Sequence, residues 1–448
     1  RKTGSRCLTM LNYGTGKAAW PRLRDTTVVH MRIHWALFLA YPLAMAHGQD
    51  QDRLIHAART GDTAALRDAL GAREAKFAER GAVASDAQDF VFILATEKTC
   101  EIKLNGLPAE PMTRVAGTRF CYSYRKLRTG TTHSYEFLAG GETVDQRRDV
   151  PAYNPDSIAK PGVPKGKLSE KFTITSKVFD GMKADWWVYA SPGVDPQTPS
   201  ALMVWQDGQS LAAGEGGQQR LFTVTENLVH QKLIPPMVHV LIAPGFAPDG
   251  RAMRAIEYDT VSGRYGEFVM GEVLPLVEKM YRLRQDGYSR GIGGSSSGGI
   301  CSFNMAWHYP EKFARVHSTI GSYTSIAWRP EQKQDGGNLY PFMIRKMPRR
   351  NIRVWLSDGA DDLENDHGSW PLQNIQMANS LKRMGYDFHF RFDDSAHNGA
   401  RFAVDLPESL AWLWRGYDPA KTSEVFEQEA AEKAKPYYRV RIANRDAW

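Results

Sequence analysis

Between Ala201 and Arg415 six short β-prone runs alternate with helical stretches, and that alternation restricts the fold more than any other feature of the chain. The runs are 201–205, 238–242, 290–293, 316–320, 352–356 and 388–392; helical stretches cover 264–281, 298–308, 371–384 and 407–415. In 371–384, Leu372, Ile375, Ala378, Leu381 and Met384 keep one apolar face. Strands that recur with helices between them build a mostly parallel sheet covered on both faces. Ligands of such sheets bind beyond the carboxyl ends of the strands, so the loops after these runs are where chemistry is expected.

The loop after 290–293 carries the strongest local signal, Gly291-Ile292-Gly293-Gly294-Ser295-Ser296-Ser297-Gly298-Gly299. One register fits Gly-x-Ser-x-Gly, the one centred on Ser296, with a strand before it and an apolar helical run after it. A serine on a sharp strand-to-helix turn projects its hydroxyl into a cleft, and the flanking glycines allow the tight backbone. A phosphate-cradling turn is the competing reading. It lacks a correctly spaced third glycine, and no Gly-Lys-Ser/Thr occurs.

A serine hydroxyl needs a base, and the base needs an orienting acid. His397 is expected to be the base, since it lies in the loop directly after 388–392. His389 sits inside that run and suits a packing role, and His367 is the runner-up. After 352–356 three aspartates compete, Asp358, Asp361 and Asp362, and Asp362 is preferred for its Gly-x-x-Asp spacing from Gly359. Donors for a developing oxyanion are expected from the backbone N–H of Ser297 and from Gly208 or Gln209 in the loop after 201–205. No paired His/Cys spacing suggests a metal, and no cofactor is expected.

The chain has 448 residues with 57 Lys and Arg against 50 Asp and Glu, a formal charge of +7 that raises the question of an anionic partner. Seven of the basic residues and one acid fall in 1–46, which leaves 50 against 49 over the remainder. No basic cluster of nucleic-acid type remains. Met31-Arg32 followed by an apolar run and Ala44-Met45-Ala46 reads as a secretory signal, cleaved near Ala46, with 1–46 as upstream segment and signal. That places the protein in the periplasm or outside the cell. The run is too short for a comfortable bilayer span, and a mean hydropathy of −0.45 excludes a polytopic membrane protein, so no stable membrane insertion is expected.

Residues 47–88 read as a helical lead-in; the stretch 56–62 resembles part of an ankyrin repeat, without a second copy. Residues 89–142 hold β-like runs at 90–94, 100–104, 119–124 and 133–138 with turn signals at Asn105-Gly106 and Thr129-Gly130, the pattern of a small β-sandwich of immunoglobulin-like type. Cys100 and Cys121 both fall in it, as a disulfide or as two buried thiols. Prolines mark 143–167 as an ordered spacer, 168–417 is the α/β domain, and 418–448 is a tail.

Gly294-Ser295-Ser296-Ser297-Gly298-Gly299, His308-Tyr309-Pro310-Glu311-Lys312-Phe313, Gly321-Ser322-Tyr323, Gln206-Asp207-Gly208, Arg254 with Glu257-Tyr258, and His367-Gly368-Ser369-Trp370-Pro371-Leu372 together resemble an esterase family. It includes enterochelin esterases, feruloyl and acetyl-xylan esterases, and mycolyltransferases. The resemblance covers about 89–417, including the β-sandwich. It implies an α/β-hydrolase fold, the set Ser296, Asp362 and His397, and a small-molecule or glycan-linked ester as substrate. Arg254 and Glu257 would then lie near substrate, or form a structural salt bridge. Siderophore lactones, acylated polysaccharides and acyl transfer to a sugar remain open, as does a catalytically silent glycan-binding protein.

Overall fold

The computed structural model describes residues 48–71, 81–86, 88–213 and 220–441. The signal segment expected at 31–46 lies outside the described residues. Two helices, Gly48–Thr60 and Thr63–Gly71, open the described chain. The strands that follow are β1 (Ala82–Asp86), β2 (Asp89–Ala95), β3 (Cys100–Leu104), β4 (Glu110–Pro111), β5 (Thr113–Arg114), β6 (Phe120–Lys126), β7 (Thr131–Ala139) and β8 (Glu142–Ala152). They form two antiparallel sheets of order β1-β2-β6-β5 and β4-β3-β7-β8. Phe90, Phe92 and Leu94 of one sheet meet Ile102, Tyr135, Phe137 and Val150 of the other in a shared core. A disulfide between Cys100 in β3 and Cys121 in β6 joins the two sheets.

Alternation puts Val91 and Ile93 on the opposite face of β2, yet both are fully buried. The helix Gly48–Thr60 covers that face, with Leu54 and Ile55 buried, which explains an all-apolar strand in an otherwise two-sided sheet. The spacer expected over 143–167 needs correction, because its first part is β8, the longest strand of the sandwich. β8 is an edge strand, where Pro151 removes no hydrogen bond that a neighbour needs, and its outward side chains are charged.

A mixed sheet follows: β9 (Lys167–Leu168), β10 (Phe172–Thr175), β11 (Lys183–Ala190), β12 (Ala201–Gln206), β13 (Met237–Ile242), β14 (Arg290–Ser295), β15 (Arg315–Thr319), β16 (Arg353–Asp361) and β19 (Asp387–Ala396), with a small hairpin of β17 (Glu364–Asn365) and β18 (Gly368–Ser369) between the last two. The order is β10-β11-β13-β12-β14-β15-β16-β19, with β9 beside β11. The six strands expected from sequence are parallel; β9, β10 and β11 add an antiparallel margin. Successive side chains of one strand enter two cores. Leu202 and Val204 pack with Val240 and Ile242 under helices 254–277 and 297–308. Met203 and Trp205 pack with Leu241, Trp355, Phe402 and Leu410 under the helices Leu221–His230 and Gly399–Trp414.

The helix expected at 407–415 begins eight residues earlier, at Gly399. Pro407 lies inside the helix. The earlier turns bury Arg401 against Asp405 at 2.9 Å, a pair that hides a core-facing helix behind a charged sequence. The stretch expected as one helix over 264–281 is segmented, with a π-type turn at Val269–Val273. Among the described residues no helix is long and apolar enough to cross a membrane.

Candidate active site

β14 ends at Ser295 and the helix Ser297–His308 begins two residues later, so the chain reverses within one residue. That residue, Ser296, has φ 59° and ψ −123°. A side chain in this region is strained unless its surroundings hold it. Here the Ser296 N–H donates to Thr319 O at 3.0 Å, and its carbonyl accepts from Gly299 N at 2.9 Å and Ser322 N at 3.1 Å. The turn closes so tightly that a Cβ on Gly294 would stand 2.8 Å from the backbone of Gly298. A Cβ on Gly298 would in turn press Gln206 at 3.1 Å and the Asp207 carboxylate at 3.2 Å. The glycine spacing therefore reflects two close approaches, one within the elbow and one to the loop after β12.

His397 follows β19, and its Nε2 lies 2.8 Å from Ser296 Oγ. Its Nδ1 lies 2.5 Å from Asp362 Oδ1. Serine, histidine and aspartate thus stand in one hydrogen-bonded row at the carboxyl ends of β14, β16 and β19. The three competing aspartates have separate places. Asp362 faces His397; Asp361 is half exposed and pairs with Arg148 of the sandwich at 2.5 Å; Asp358 is fully buried and accepts from the Gly359 N–H at 2.9 Å. Burial and the adjacent Asp362 carboxylate push the Asp358 carboxyl well above the usual aspartate range. Burial alone would raise Asp362 too, but hydrogen bonds from His397 and Asp358 outweigh it and hold Asp362 below that range.

Two further groups reach the serine. Ser322 Oγ lies 3.2 Å from Ser296 Oγ, and Trp370 Nε1–H donates to Ser322 Oγ at 3.1 Å. The Trp370 ring also stands edge-on to His397, with centroids 5.7 Å apart. Both lie in segments that carry the family resemblance, Gly321-Ser322-Tyr323 and His367–Leu372, but no spacing in the sequence assigns either a role of its own. The alternatives for the base lie elsewhere: His367 is exposed on the β17–β18 hairpin, and His389 stacks on Trp355 at 4.3 Å.

Ser297 is the first residue of its helix, so its N–H has no partner within the helix and belongs to the turn that faces Ser296 Oγ. Gly208 and Gln209 open a short helical turn after Asp207; Gly208 is buried so closely on Leu241 and Ile242 that a Cβ would stand 2.4 Å from their backbone, while Gln209 is exposed. Arg254 binds the Asp207 carboxylate with two bonds of 2.7 and 2.9 Å, fixing that loop beside Gly298. Glu257, expected near substrate, is instead 3 % exposed and accepts from the Gly245 N–H at 2.8 Å. That burial leaves it no surface to offer a ligand, and together with the Asp207 charge it raises the carboxyl to about 7, against hydrogen bonding from Gly245 and the charge of Arg254. Burial likewise raises Asp259 to about 7.

A parallel sheet with a serine elbow and a histidine–aspartate pair behind it defines an α/β-hydrolase-type protein. Residues 182–413 match the family model described as "Putative esterase", and the chain belongs to that family. It is 23 % identical over 244 residues to the iron(III) enterobactin esterase of Dickeya dadantii and 25 % identical over 234 residues to that of Escherichia coli K12, covering 53 % and 51 % of this chain. The chain spans about half the length of these curated relatives, 53 % in each case. The crystal structure of the enterobactin esterase from Shigella flexneri superposes with a TM-score of 0.51 at 18 % identity, over 77 % of this chain and all of that one. That likeness shows a shared fold.

Proposed function

We propose that this chain is a serine carboxylic ester hydrolase. The observation that carries the reading is the row Asp362–His397–Ser296, at 2.5 and 2.8 Å, on a strained elbow. Ser296 Oγ attacks the ester carbonyl as His397 Nε2 takes its proton, and His397 then returns the proton to the leaving alkoxide. Asp362 holds the imidazole with Nδ1–H toward itself and stabilises the imidazolium. The Ser297 N–H and an N–H of Gly208 or Gln209 receive the developing oxyanion. Water, activated by His397, releases the acyl group from Ser296.

Among substrates a siderophore lactone is the first to test, supported by the enterobactin esterases among the relatives. Feruloyl- or acetyl-decorated sugars, and transfer of the acyl group to a sugar, are the alternatives. We read the sandwich as immunoglobulin-like on its two four-stranded antiparallel sheets. The sequence of the 31–46 segment supports export, and the Cys100–Cys121 disulfide suits an oxidising compartment.

The deciding experiment offers ferric siderophore, feruloyl sugar, acetyl-xylan and p-nitrophenyl acetate to the wild type and to Ser296→Ala. Turnover of an ester that Ser296→Ala abolishes supports the reading. Turnover that survives the substitution, or binding of xylan without turnover of any ester, would overturn it.

A further inference from the structure

β8 departs from the register of its neighbour at two places, opposite 133–135 and opposite 137–138, and the first of these lies beside the site. His133 of β7 faces Val150 and Tyr135 faces Arg147, so Arg148 and Asp149 together oppose Ser134. The extra residue makes a β-bulge, and Asp149 within it has φ 54°, the left-handed region that Asp tolerates better than most side chains. Bulges re-aim side chains, and strained residues persist where their surroundings hold them. This bulge aims two consecutive side chains out of the sandwich at the two loops that carry His397 and Asp362.

Arg148 takes the acid loop through Asp361, but that pair is exposed on both sides, at 71 and 47 %, and pairs of this kind contribute little. Asp149 differs. It is 8 % exposed, and its Oδ2 accepts from the Ala396 N–H at 3.1 Å and from Asn398 Nδ2 at 2.6 Å. Thr132 Oγ1 donates to its Oδ1 at 3.3 Å. Ala396 and Asn398 are the residues on either side of His397. Asn398 also caps the helix Gly399–Trp414 through Ala400 N at 2.9 Å. One carboxyl group from a separate sheet therefore grips both neighbours of the histidine; burial raises it above the usual aspartate range, against the bonds from Ala396, Asn398 and Thr132.

We infer that Asp149 is a positioning residue, through which the β-sandwich fixes His397 in line with Ser296 and Asp362. The inference rests on the esterase reading above. It gives the sandwich a part in the chemistry that is independent of which ester is bound, because the grip acts on the base and not on substrate.

The test uses the full chain with Asp149→Ala and Asp149→Asn. The amide keeps one oxygen, which can take the Oδ2 place that accepts from Ala396 and Asn398, loses the negative charge, and preserves volume if alanine fails to fold. Readouts are kcat and KM for p-nitrophenyl acetate, the rate at which a fluorophosphonate labels Ser296, and the downfield proton resonance of the His397 Nδ1–H bond. Displacing a catalytic group by about 1 Å costs on the order of 10²-fold, so kcat and labelling should fall about 10²-fold in Asp149→Ala, less in Asp149→Asn, with KM within about twofold. The downfield resonance should broaden or vanish, which a purely structural role would not cause in folded protein. Folded variants with wild-type kcat, labelling and resonance refute the positioning role alone. A wild type that the fluorophosphonate does not label at Ser296 refutes the esterase reading and this inference with it.

Discussion

Replacing each of the three aspartates after β16 separates their roles. When His397 takes the serine proton, an imidazolium forms 2.5 Å from the buried Asp362 carboxylate. At an effective dielectric near 20 that attraction is about 7 kcal/mol, against a loss on the order of 10⁴-fold, or about 5 kcal/mol of barrier, when the acid of such a set is removed. Asp362→Ala should therefore lower kcat about 10⁴-fold. Asp362→Asn should lose less, because the same Oδ1 accepts from both His397 Nδ1 and the Leu363 N–H at 2.5 Å, and an amide oxygen can do the same. Asp358→Asn should stay within a few-fold of wild type, since burial beside Asp362 already disfavours its charge and the amide supplies a donor toward Asp362. Asp361→Asn removes only the exposed pair with Arg148 and should change kcat little. Steady-state hydrolysis of p-nitrophenyl acetate, with circular dichroism to verify folding, measures all four. Asp362→Ala within tenfold of wild type, or Asp358→Asn as damaged as Asp362→Ala, would refute the assignment.

Two other changes follow from the surroundings of the site. Trp370→Phe keeps the ring beside His397 but removes the donor to Ser322 Oγ, leaving that hydroxyl free to turn; a bond of this kind is worth about 1 kcal/mol, so kcat should fall about fivefold, and unchanged turnover would remove Trp370 from the network. Glu257 has a folded-state carboxyl raised to about 7 from 4.5, so between those values the unfolded chain ionises while the folded protein stays protonated. Stability contributed by the neutral form is thus progressively lost as pH rises through that window. Thermal melts should show Glu257→Gln losing less Tm than wild type between pH 5 and 7.5, and parallel curves would count against the burial argument.

Which parts of this design are legible in sequence depends on how each residue is satisfied. β12 and β13 are buried on every residue, so apolar runs reveal them. β16 and β19 continue past their apolar runs into Ser357–Asp361 and Asp393–Ala396, polar ends that hold the site and that hydrophobicity cannot delimit. β8 escaped because an edge strand with an exposed face and a proline looks like a spacer. Ser296 is readable because the elbow needs glycines at fixed local spacing. Choosing among Asp358, Asp361 and Asp362 by spacing placed the acid where the histidine is found, but the burial of Asp358 and the outward turn of Asp361 arise only from packing. Asp149 reaches the two neighbours of His397 from another sheet across about 250 residues, and no local pattern announces such a contact.

The strain at Ser296 gives a last consequence, in which stability and reactivity oppose one another. A non-glycine residue at φ 59° and ψ −123° costs on the order of 1–3 kcal/mol. Ser296→Ala removes the hydroxyl and keeps that strain, because Cβ remains. Ser296→Gly removes both, and glycine accepts positive φ without steric cost while giving back about 0.5–1 kcal/mol through a freer unfolded chain. The net difference between the two variants should be about 1 kcal/mol in favour of glycine, or about 1 °C in Tm for a chain of 448 residues. Comparing the variants with each other cancels the lost bonds to His397 and Ser322, which both lack. If Ser296→Gly melts at or below Ser296→Ala, the elbow is not strained in the native protein, and the Thr319, Gly299 and Ser322 backbone bonds around it follow the turn without forcing it.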